Sequence, residues 1–331
     1  MRADSSFEIG FGHIFRMMSV AEALGQDYDF LLVTQILPDF ILGEVKKMGL
    51  HYKIVEGISR SLSDRKLGDE IPFDMNGILN GGEIVVTDGY WFGTHYQSEI
   101  KRLGCKLICI DDLAEFFFVA DYVINHAPGI DKAVYRISEN TKLCLGMDYL
   151  IIKKIFLNQP FPIRKVSDCR LVISMGGTDL YGITEKILNK VLEIDSQFVI
   201  EVIYTHSFSQ KSVANLLDVK RKYPERVFLK DNLSSKQISE LFDSCSHAIL
   251  SSSTIALECL TRKIRPLIGY YTENQKFLYS GLIKENLSIG LGNLISDDKE
   301  EDIITSYLKN NQFSNLEFQP KLDSVFRELT N

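Results

Sequence analysis

The sequence predicts an α/β protein made of two doubly wound domains that face each other across a cleft. Short apolar runs of strand length alternate with segments of helical periodicity, which is typical of parallel sheets covered by helices on both faces. A second series of this kind starts at residue 170, after the proline-containing segment 159–162. We therefore expect domains at 1–158 and 163–331, since 331 residues suffice for two domains.

The first half begins with too few residues for a full strand ahead of its first glycine loop. We expect its strands at 30–34, 52–55, 84–88, 106–111 and 121–125. We expect its helices at 14–24, 38–48 and 95–103. Ligands of parallel sheets bind at the carboxyl ends of the strands. Four loops should share that rim: 10–13, 88–90, 111–112 and 125–126.

The second half repeats the alternation after a less regular segment at 135–159. We expect its strands at 170–174, 198–204, 226–229, 247–250 and 265–269. We expect its helices at 183–192, 212–217, 235–243, 255–261, 275–284, 301–309 and 322–329.

Composition limits the classes of partner. The net charge is −7 and the charges are mixed along the chain, so no basic tract can neutralise nucleic-acid phosphates. The six cysteines form no C-x-x-C pair, which indicates buried thiols in a reducing compartment. No signal peptide and no apolar run of membrane-spanning length are recognisable. We expect a cytoplasmic protein without membrane insertion, as a monomer or a weak homodimer.

The stretch Gly10-Phe11-Gly12-His13 opens the first predicted helix. Free backbone N–H groups and the helix dipole at such a position suit a phosphate or another anion. The same field should lower the pKa of His13, and a neutral imidazole can act as a general base. The alternative is a tight turn in which His13 only caps the helix. Because the third glycine of the dinucleotide fingerprint is missing, we do not expect hydride chemistry.

Two loops of the second half are candidates for binding an anion. Gly176 and Gly177 follow a predicted strand and allow a ligand to approach the backbone closely. Four hydroxyl residues precede a predicted helix: Ser251, Ser252, Ser253 and Thr254. Glu258 lies four residues after Thr254, and its carboxylate could hold a ribose. The alternative is that the serines cap the helix and Glu258 is solvated.

Three further residues could contact a substrate. Asn274 and Gln275 open another predicted helix, where they could direct an amide into the cleft or simply cap the helix. Tyr90 follows a strand and could contact a sugar or pack in the core. The histidines and cysteines show no metal-ligand spacing, so we expect no metal site and no cofactor.

Taken together, these motifs resemble a known family. They begin with Arg2-Ala3-Asp4 and Ile9-Gly10-Phe11-Gly12-His13-Ile14-Phe15-Arg16. They continue in order through 87–90, 110–113, 145–150, 174–179, 251–254 with Glu258, and 273–275. The ordered set resembles the UDP-sugar hydrolases of pseudaminic acid biosynthesis, which relate to spore-coat polysaccharide proteins and more distantly to MurG-type glycosyltransferases.

The resemblance implies a MurG-like GT-B architecture of two Rossmann-like domains, with UDP mainly on the second domain. It implies metal-independent hydrolysis of UDP-2,4-diacetamido-2,4,6-trideoxy-β-L-altropyranose by water at the anomeric carbon. The catalytic histidine of the family falls on His13, its sugar-contacting residues on Tyr90 and Asn274, and its nucleotide-contacting segment on 251–258. Four residues of the matching motifs join the expected substrate site: Gly10, Gly12, Arg16 and Asp88.

Two features depart from the family pattern, namely the short first strand and a final stretch that matches no motif. Two other functions stay open. A GT-B glycosyltransferase would use the same UDP site with an acceptor hydroxyl in place of water. A non-catalytic binding protein would hold the nucleotide sugar without cleaving it.

Overall fold

The computed structural model describes residues 1–5, 10–56, 66, 68–157, 169–177, 179, 181–194, 197–296, 300–310, 312–313 and 317–330. The expected interdomain linker at 159–162, together with Ile9 and Thr178 of the motifs above, lies outside these residues. The chain divides into two compact units. Unit 1 contains Met1–Lys153 and Gln319–Asn331, and unit 2 contains Lys154–Phe318.

Unit 1 contains a seven-stranded parallel sheet in the order β3-β2-β1-β4-β5-β7-β9. The strands of this unit are β1 (Arg2–Ala3), β2 (Leu31–Thr34), β3 (His51–Ile54), β4 (Ile84–Asp88), β5 (Lys106–Ile110), β6 (Phe117–Phe118), β7 (Tyr122–Asn125), β8 (Arg136–Ile137) and β9 (Lys142–Leu145), of which β6 and β8 pair separately. Its first three helices are α1 (Gly12–Leu24), α2 (Asp39–Lys47) and α3 (Thr94–Arg102). Buried apolar clusters cover both faces of the sheet.

The first strand is only two residues long, yet it lies inside the sheet, between β2 and β4. Arg2 pairs with β2 and β4, and Ala3 pairs with Asp88. The buried Arg2 guanidinium lies between two carboxylates, at 2.5 Å from Asp4 Oδ1 and 2.6 Å from Asp74 Oδ2. Pairing on both sides and these two ion pairs hold the short strand in place.

The strand order places a crevice next to this strand. The chain winds in one direction from β1 to β3 and in the other from β4 to β9, so the connections diverge between β1 and β4. Ligands of doubly wound sheets bind at this switch point, at the carboxyl ends of the strands. Both the loop that opens α1 and the end of β4 lie there.

Unit 2 has an all-parallel sheet in the order β12-β11-β10-β13-β14-β15, with the same winding. Its strands are β10 (Arg170–Ser174), β11 (Val199–Tyr204), β12 (Val227–Asp231), β13 (His247–Ser251), β14 (Leu267–Tyr270) and β15 (Ile289–Asn293). Its helices are α4 (Lys154–Leu157), α5 (Ile183–Glu193), α6 (Gln210–Lys222), α7 (Ser235–Ser244), α8 (Thr254–Thr261), α9 (Lys276–Lys284) and α10 (Glu300–Leu308). The switch point of this sheet lies between β10 and β13.

The prediction of two doubly wound sheets is confirmed, but the sequence pattern missed β9 and β15. Both strands lie at the edge of a sheet. In β15, glycine alternates with larger residues because Gly290 leaves room for a neighbour: a Cβ there would lie 2.3 Å from the Tyr279 hydroxyl. Glycine is rare in strands, so this strand gives little β signal.

The C-terminal helix α11 (Leu322–Thr330) differs from the expected domain of 163–331 because it belongs to unit 1. Leu322, Val325 and Phe326 are buried in a cluster with residues of α1 and the first sheet. The Tyr122 hydroxyl also donates a 2.5 Å hydrogen bond to Glu328 Oε2. An amphipathic pattern shows that a helix has an apolar face but not which sheet that face covers.

We expect Phe326→Ala to lower the free energy of unfolding of unit 1 by about 3 kcal/mol, the usual cost of deleting a buried phenyl ring. Trp91 is the one tryptophan of the sequence and is buried in unit 1, so its fluorescence during urea unfolding measures this unit. The exposed neighbour Arg327 provides the control, since Arg327→Ala should change the value by less than about 0.5 kcal/mol. An unchanged Trp91 transition in Phe326→Ala would contradict the assignment of α11 to unit 1.

Candidate functional site

His13 is held in the first turn of α1 by the glycine loop ahead of it. Gly10 has a φ of +79°, which glycine adopts without strain, and Phe11 precedes the helix. The imidazole is buried, with 4% of the residue exposed. Its Nδ1 lies 2.7 Å from Asp88 Oδ1, at the end of β4. The ring therefore bonds a carboxylate, and the side chain of Phe11 at the helix start makes no capping bond.

Arg16, one turn further along α1, joins this pair to a third group. Its Nε lies 2.7 Å from Asp88 Oδ2, and its Nη2 lies 2.6 Å from Asp88 Oδ1. Its Nη1 and Nη2 each lie 2.7 Å from one oxygen of Asp112, which follows β5. The guanidinium, which the sequence places in the substrate site, is thus occupied by two carboxylates.

The hydrogen bonds of Arg16 indicate which atom carries the hydrogen between His13 and Asp88. Arg16 Nη2 also lies 3.0 Å from His13 Nδ1, but its two hydrogens are directed to Asp88 and Asp112. No hydrogen remains for it to donate to Nδ1, so Nδ1–H donates to Asp88. Among the described residues, none is a hydrogen-bond partner of His13 Nε2. When the ring is neutral, Nε2 carries the lone pair.

Tyr90, another predicted residue, borders the ring. The Tyr90 ring meets the His13 ring edge to face, with centroids 4.6 Å apart, and Tyr90 also belongs to a buried apolar cluster. No atom of the described residues would lie within 4 Å of a Cβ added to Gly10 or Gly12. The described part of the chain therefore leaves space beside the backbone at these two glycines.

Asp111 and Tyr135 lie next to Asp112 and were not predicted as site residues. Asp111 Oδ2 accepts the backbone N–H groups of Leu113 and Ala114, at 3.1 and 2.7 Å, and the Tyr135 hydroxyl at 3.0 Å. Burial raises the pKa of Asp111 to about 6. Burial also acts to raise the pKa of Asp112, but the Arg16 cation outweighs it and holds that pKa below its usual value. The turn after β5 therefore presents an ionised Asp112 to Arg16.

His126, after β7, is a second buried imidazole near this cluster. Its Nδ1 accepts the backbone N–H of Ile151 at 3.3 Å, so a neutral ring carries its hydrogen on Nε2. Burial lowers the pKa of His126 to about 4, and the Arg16 cation adds to this effect. The sequence places residue 126 on the same rim but assigns it no role.

In unit 2, the corresponding crevice gathers hydroxyl groups around Gly176. Gly176 has a φ of +88°, and a Cβ there would lie 3.4 Å from Ser251 Oγ, 3.7 Å from the Tyr271 hydroxyl and 3.9 Å from Ser253 Oγ. Ser251 Oγ and Ser253 Oγ are 3.0 Å apart. Tyr271, which the sequence does not single out, donates its hydroxyl to the backbone oxygen of Met175. Burial raises its pKa to about 12, so the hydroxyl keeps its hydrogen.

The other predicted residues of unit 2 differ in what they contact. Ser252 donates to the backbone oxygens of Gly269 and Gln275, and Gln275 Oε1 accepts the backbone N–H of Tyr271, so these two side chains hold the loops together. Ser253 precedes α8 without making a side-chain capping bond. The alternative that this serine is an ordinary helix cap therefore loses its support.

Four predicted residues of unit 2 remain, namely Gly177, Thr254, Glu258 and Asn274. A Cβ added to Gly177 would meet no atom within 4 Å in the described part of the chain. The backbone oxygen of Gly177 accepts a 2.6 Å hydrogen bond from Thr205. Thr254 and Glu258 are half-buried on α8. Asn274 is half-buried in the single turn Glu273–Gln275 that precedes α9.

Two general features concern the described residues only. They contain no group of three or more His, Cys, Asp or Glu side chains arranged to hold a metal ion. No helix among them is both long and apolar enough to cross a membrane.

Two known proteins are similar to this chain, while no protein-family model matches it. The uncharacterized protein MJ1062 of Methanocaldococcus jannaschii is 23% identical over 295 residues, which cover 85% of this chain and 57% of that protein. The chain thus spans little more than half the length of MJ1062. The spore coat polysaccharide biosynthesis protein SpsG of Bacillus subtilis is 23% identical over 314 residues, covering 89% of this chain and 84% of SpsG.

Solved structures show the fold. MurG of Acinetobacter baumannii matches with a TM-score of 0.60 and 12% identity, over 94% of this chain and 90% of that chain. The calicheamicin glycosyltransferase CalG4 matches with a TM-score of 0.58 and 11% identity, over 99% and 91% of the two chains. The predicted GT-B, MurG-like fold of two Rossmann-like sheets is confirmed.

We expect His126→Asn to make unit 1 less sensitive to acid than the wild type. The folded protein keeps His126 neutral down to about pH 4, whereas an unfolded histidine takes up a proton near pH 6.5, so the unfolded state binds more protons between these values. Stability from this group is complete above pH 6.5, and about 3 kcal/mol is lost as the pH falls to about 4. Asparagine offers an acceptor near the place of Nδ1 and does not titrate.

Urea midpoints from Trp91 fluorescence, taken near neutral pH and at about pH 4.5, measure this difference. The raised pKa of Asp111 acts in the opposite direction in both proteins, so it cancels in the comparison. The exposed residue His51 provides a control variant, His51→Asn, which should follow the wild type. Equal acid sensitivity of His126→Asn and the wild type would contradict the expectation.

Proposed function

We propose that this protein hydrolyses a UDP-linked diacetamido-trideoxy sugar at its anomeric carbon and releases UDP and the free sugar. The observation that carries the proposal is the 2.7 Å hydrogen bond between His13 Nδ1 and Asp88, at the switch point of unit 1. It leaves Nε2 as the basic atom of a neutral ring. The similarity to SpsG, a spore coat polysaccharide biosynthesis protein, supports a place in surface polysaccharide biosynthesis. The resemblance of the sequence motifs extends the proposal to nonulosonic acid (pseudaminic acid) biosynthesis.

In the proposed reaction, His13 Nε2 takes a proton from a water molecule as the water oxygen attacks the anomeric carbon. The bond between that carbon and the UDP oxygen breaks, and its electron pair leaves with UDP. Asp88 stabilises the imidazolium that forms, because it accepts the hydrogen of Nδ1 throughout. General-base catalysis of this kind contributes roughly 10²- to 10⁴-fold.

UDP leaves as an anion, and fixed dipoles are proposed to stabilise its charge. In unit 1, the backbone at Gly10 and Gly12 borders open space at the N-terminus of α1. In unit 2, the Ser251 and Ser253 hydroxyls are proposed to bind the nucleotide around Gly176. Glu258 is proposed to accept the ribose hydroxyls, and Asn274 to contact the sugar. Neither a metal nor another cofactor has a role in this mechanism.

The burial of His13 favours water as the nucleophile. With 4% of the residue exposed, the ring offers little room to a second sugar beside the donor. A glycosyltransferase on the same fold is the main alternative, and it needs an acceptor hydroxyl to turn over. Release of free sugar from a panel of UDP-deoxyamino sugars without any acceptor, followed by NMR, distinguishes the two activities. Tight binding without cleavage would point to a binding protein.

We expect His13→Asn to reduce kcat by about 10²-fold or more, since it removes the general base. Asp88→Asn should also reduce kcat, because it removes the carboxylate that accepts the hydrogen of Nδ1. NMR of the released sugar measures both rates. The exposed His51→Asn serves as the histidine control and should keep full activity. Unchanged turnover in His13→Asn would remove His13 from the chemistry.

We expect Gly12→Ala to weaken substrate binding without destabilising the fold. Its methyl group would meet no atom of the described residues within 4 Å, and alanine favours a helix, so stability should hold or rise. The methyl group would enter the space proposed for the substrate, so KM should rise about tenfold, equivalent to about 1.4 kcal/mol. Gly43→Ala in α2 is the matched control, since its methyl also meets nothing within 4 Å. It should leave KM unchanged, and an equal KM in Gly12→Ala would place the substrate elsewhere.

A further inference from the structure

We propose that Asp112 is a positioning residue that keeps His13 in the tautomer with its hydrogen on Nδ1. It does so by occupying a hydrogen of Arg16 that would otherwise be donated to that nitrogen. The effect of Asp112 on the tautomer is independent of any activity, whereas its consequence for catalysis rests on the proposed function.

The distances around Arg16 Nη2 carry this inference. Among the described residues, three acceptors lie within hydrogen-bonding distance of this atom: Asp88 Oδ1 at 2.6 Å, Asp112 Oδ2 at 2.7 Å and His13 Nδ1 at 3.0 Å. It has two hydrogens, and the two carboxylates are the closer and charged acceptors. Without Asp112, the second hydrogen would have His13 Nδ1 as its nearest remaining acceptor.

The two outcomes give the ring opposite chemistry. A hydrogen bond from Arg16 to Nδ1 makes Nδ1 an acceptor, so a neutral ring must carry its hydrogen on Nε2. Nε2 then has no lone pair to accept a proton from water. Asp88 Oδ1 accepts from Arg16 and from Nδ1–H together, so without Asp112 the carboxylate of Asp88 and the freed hydrogen of Arg16 would favour opposite tautomers of the ring.

The position of Asp112 is itself well defined. Its two oxygens each lie 2.7 Å from a different nitrogen of Arg16, which fixes the plane of the guanidinium. The preceding residue, Asp111, accepts two backbone N–H groups of the same turn and the Tyr135 hydroxyl. Asp112 is therefore presented by a turn with little freedom to move.

The test is the ring tautomer of His13, measured by long-range ¹H–¹⁵N NMR on the full chain labelled with ¹⁵N-histidine. The sequence has six histidines, and the signals missing from His13→Asn identify His13. Spectra are taken at alkaline pH, where imidazole rings are neutral. The wild type should show the hydrogen on Nδ1. Asp112→Ala should move it to Nε2 in most molecules, and Asp112→Asn, which keeps one acceptor oxygen, should show both tautomers.

The control is Asp148→Ala, which removes an exposed carboxylate of unit 1 and should give the wild-type pattern. Trp91 fluorescence shows whether each variant is folded. If Asp112→Ala is unfolded, Asp112→Asn, which keeps the side-chain volume, provides the tautomer test. Two results would overturn the proposal: a wild-type ring with its hydrogen on Nε2, or folded Asp112 variants with the wild-type pattern.

A second measurement connects the tautomer to catalysis. If the proposed hydrolysis is right, kcat of Asp112→Ala should fall about 10²-fold while KM stays roughly constant, because the general base is lost and the substrate contacts are not. The NMR experiment needs no substrate. A tautomer change in a protein that hydrolyses no UDP-sugar would therefore keep the role of Asp112 and remove the proposed function.

Discussion

The Arg16 guanidinium between the Asp88 and Asp112 carboxylates is the interaction on which the crevice of unit 1 depends. A charged group buried without a partner costs several kcal/mol, so none of the three could lie there alone. They come from α1, the end of β4 and the turn after β5, three successive places along one edge of the sheet. Their mutual attraction therefore couples the orientation of the first helix to the sheet and, through Asp88, sets the orientation of the His13 ring.

This pairing changes what the crevice can bind. The four carboxylate contacts of Arg16 leave it little capacity for a phosphate, although arginine is a common phosphate ligand elsewhere. The cluster has one guanidinium and two carboxylates, so its net negative charge disfavours the binding of an anion close to it. An anionic leaving group is better served by backbone N–H groups beside Gly10 and Gly12, which add no carboxylate to the site. Arg16 is better explained as a support for the His13 ring than as a ligand of a substrate.

Much of this arrangement could be predicted from sequence, because periodicity locates the end of each strand. The carboxyl ends of parallel strands share one edge, so strand positions alone bring His13, Asp88 and residues 111–112 to one rim. The partner of Arg16 could not be predicted in the same way. It depends on the register between β4 and β5 and on the direction of each side chain, and the two adjacent aspartates Asp111 and Asp112 prove to have different partners.

The serine segment 251–254 shows the same limit in unit 2. Four consecutive hydroxyl residues before a helix give one pattern, yet Ser252 turns inward to two backbone oxygens while Ser251 and Ser253 lie beside Gly176. The sequence likewise shows that α11 has an apolar face but does not show which sheet that face covers.

The two crevices differ in the kind of side chain that lines them. The partners around His13 are charged, and the hydrogen bonds between them fix the position of each partner. Such a network suits a side chain that must keep one orientation and one tautomer. Around Gly176 they are hydroxyls, and the pKa of Tyr271 is raised to about 12, so its hydroxyl adds no negative charge. Neutral hydrogen-bond donors beside a glycine can bind a diphosphate without repelling its charge. None of these hydroxyls is a strong base that could activate water. Under the proposed function, the general base is therefore better sought in unit 1, and the nucleotide contacts in unit 2.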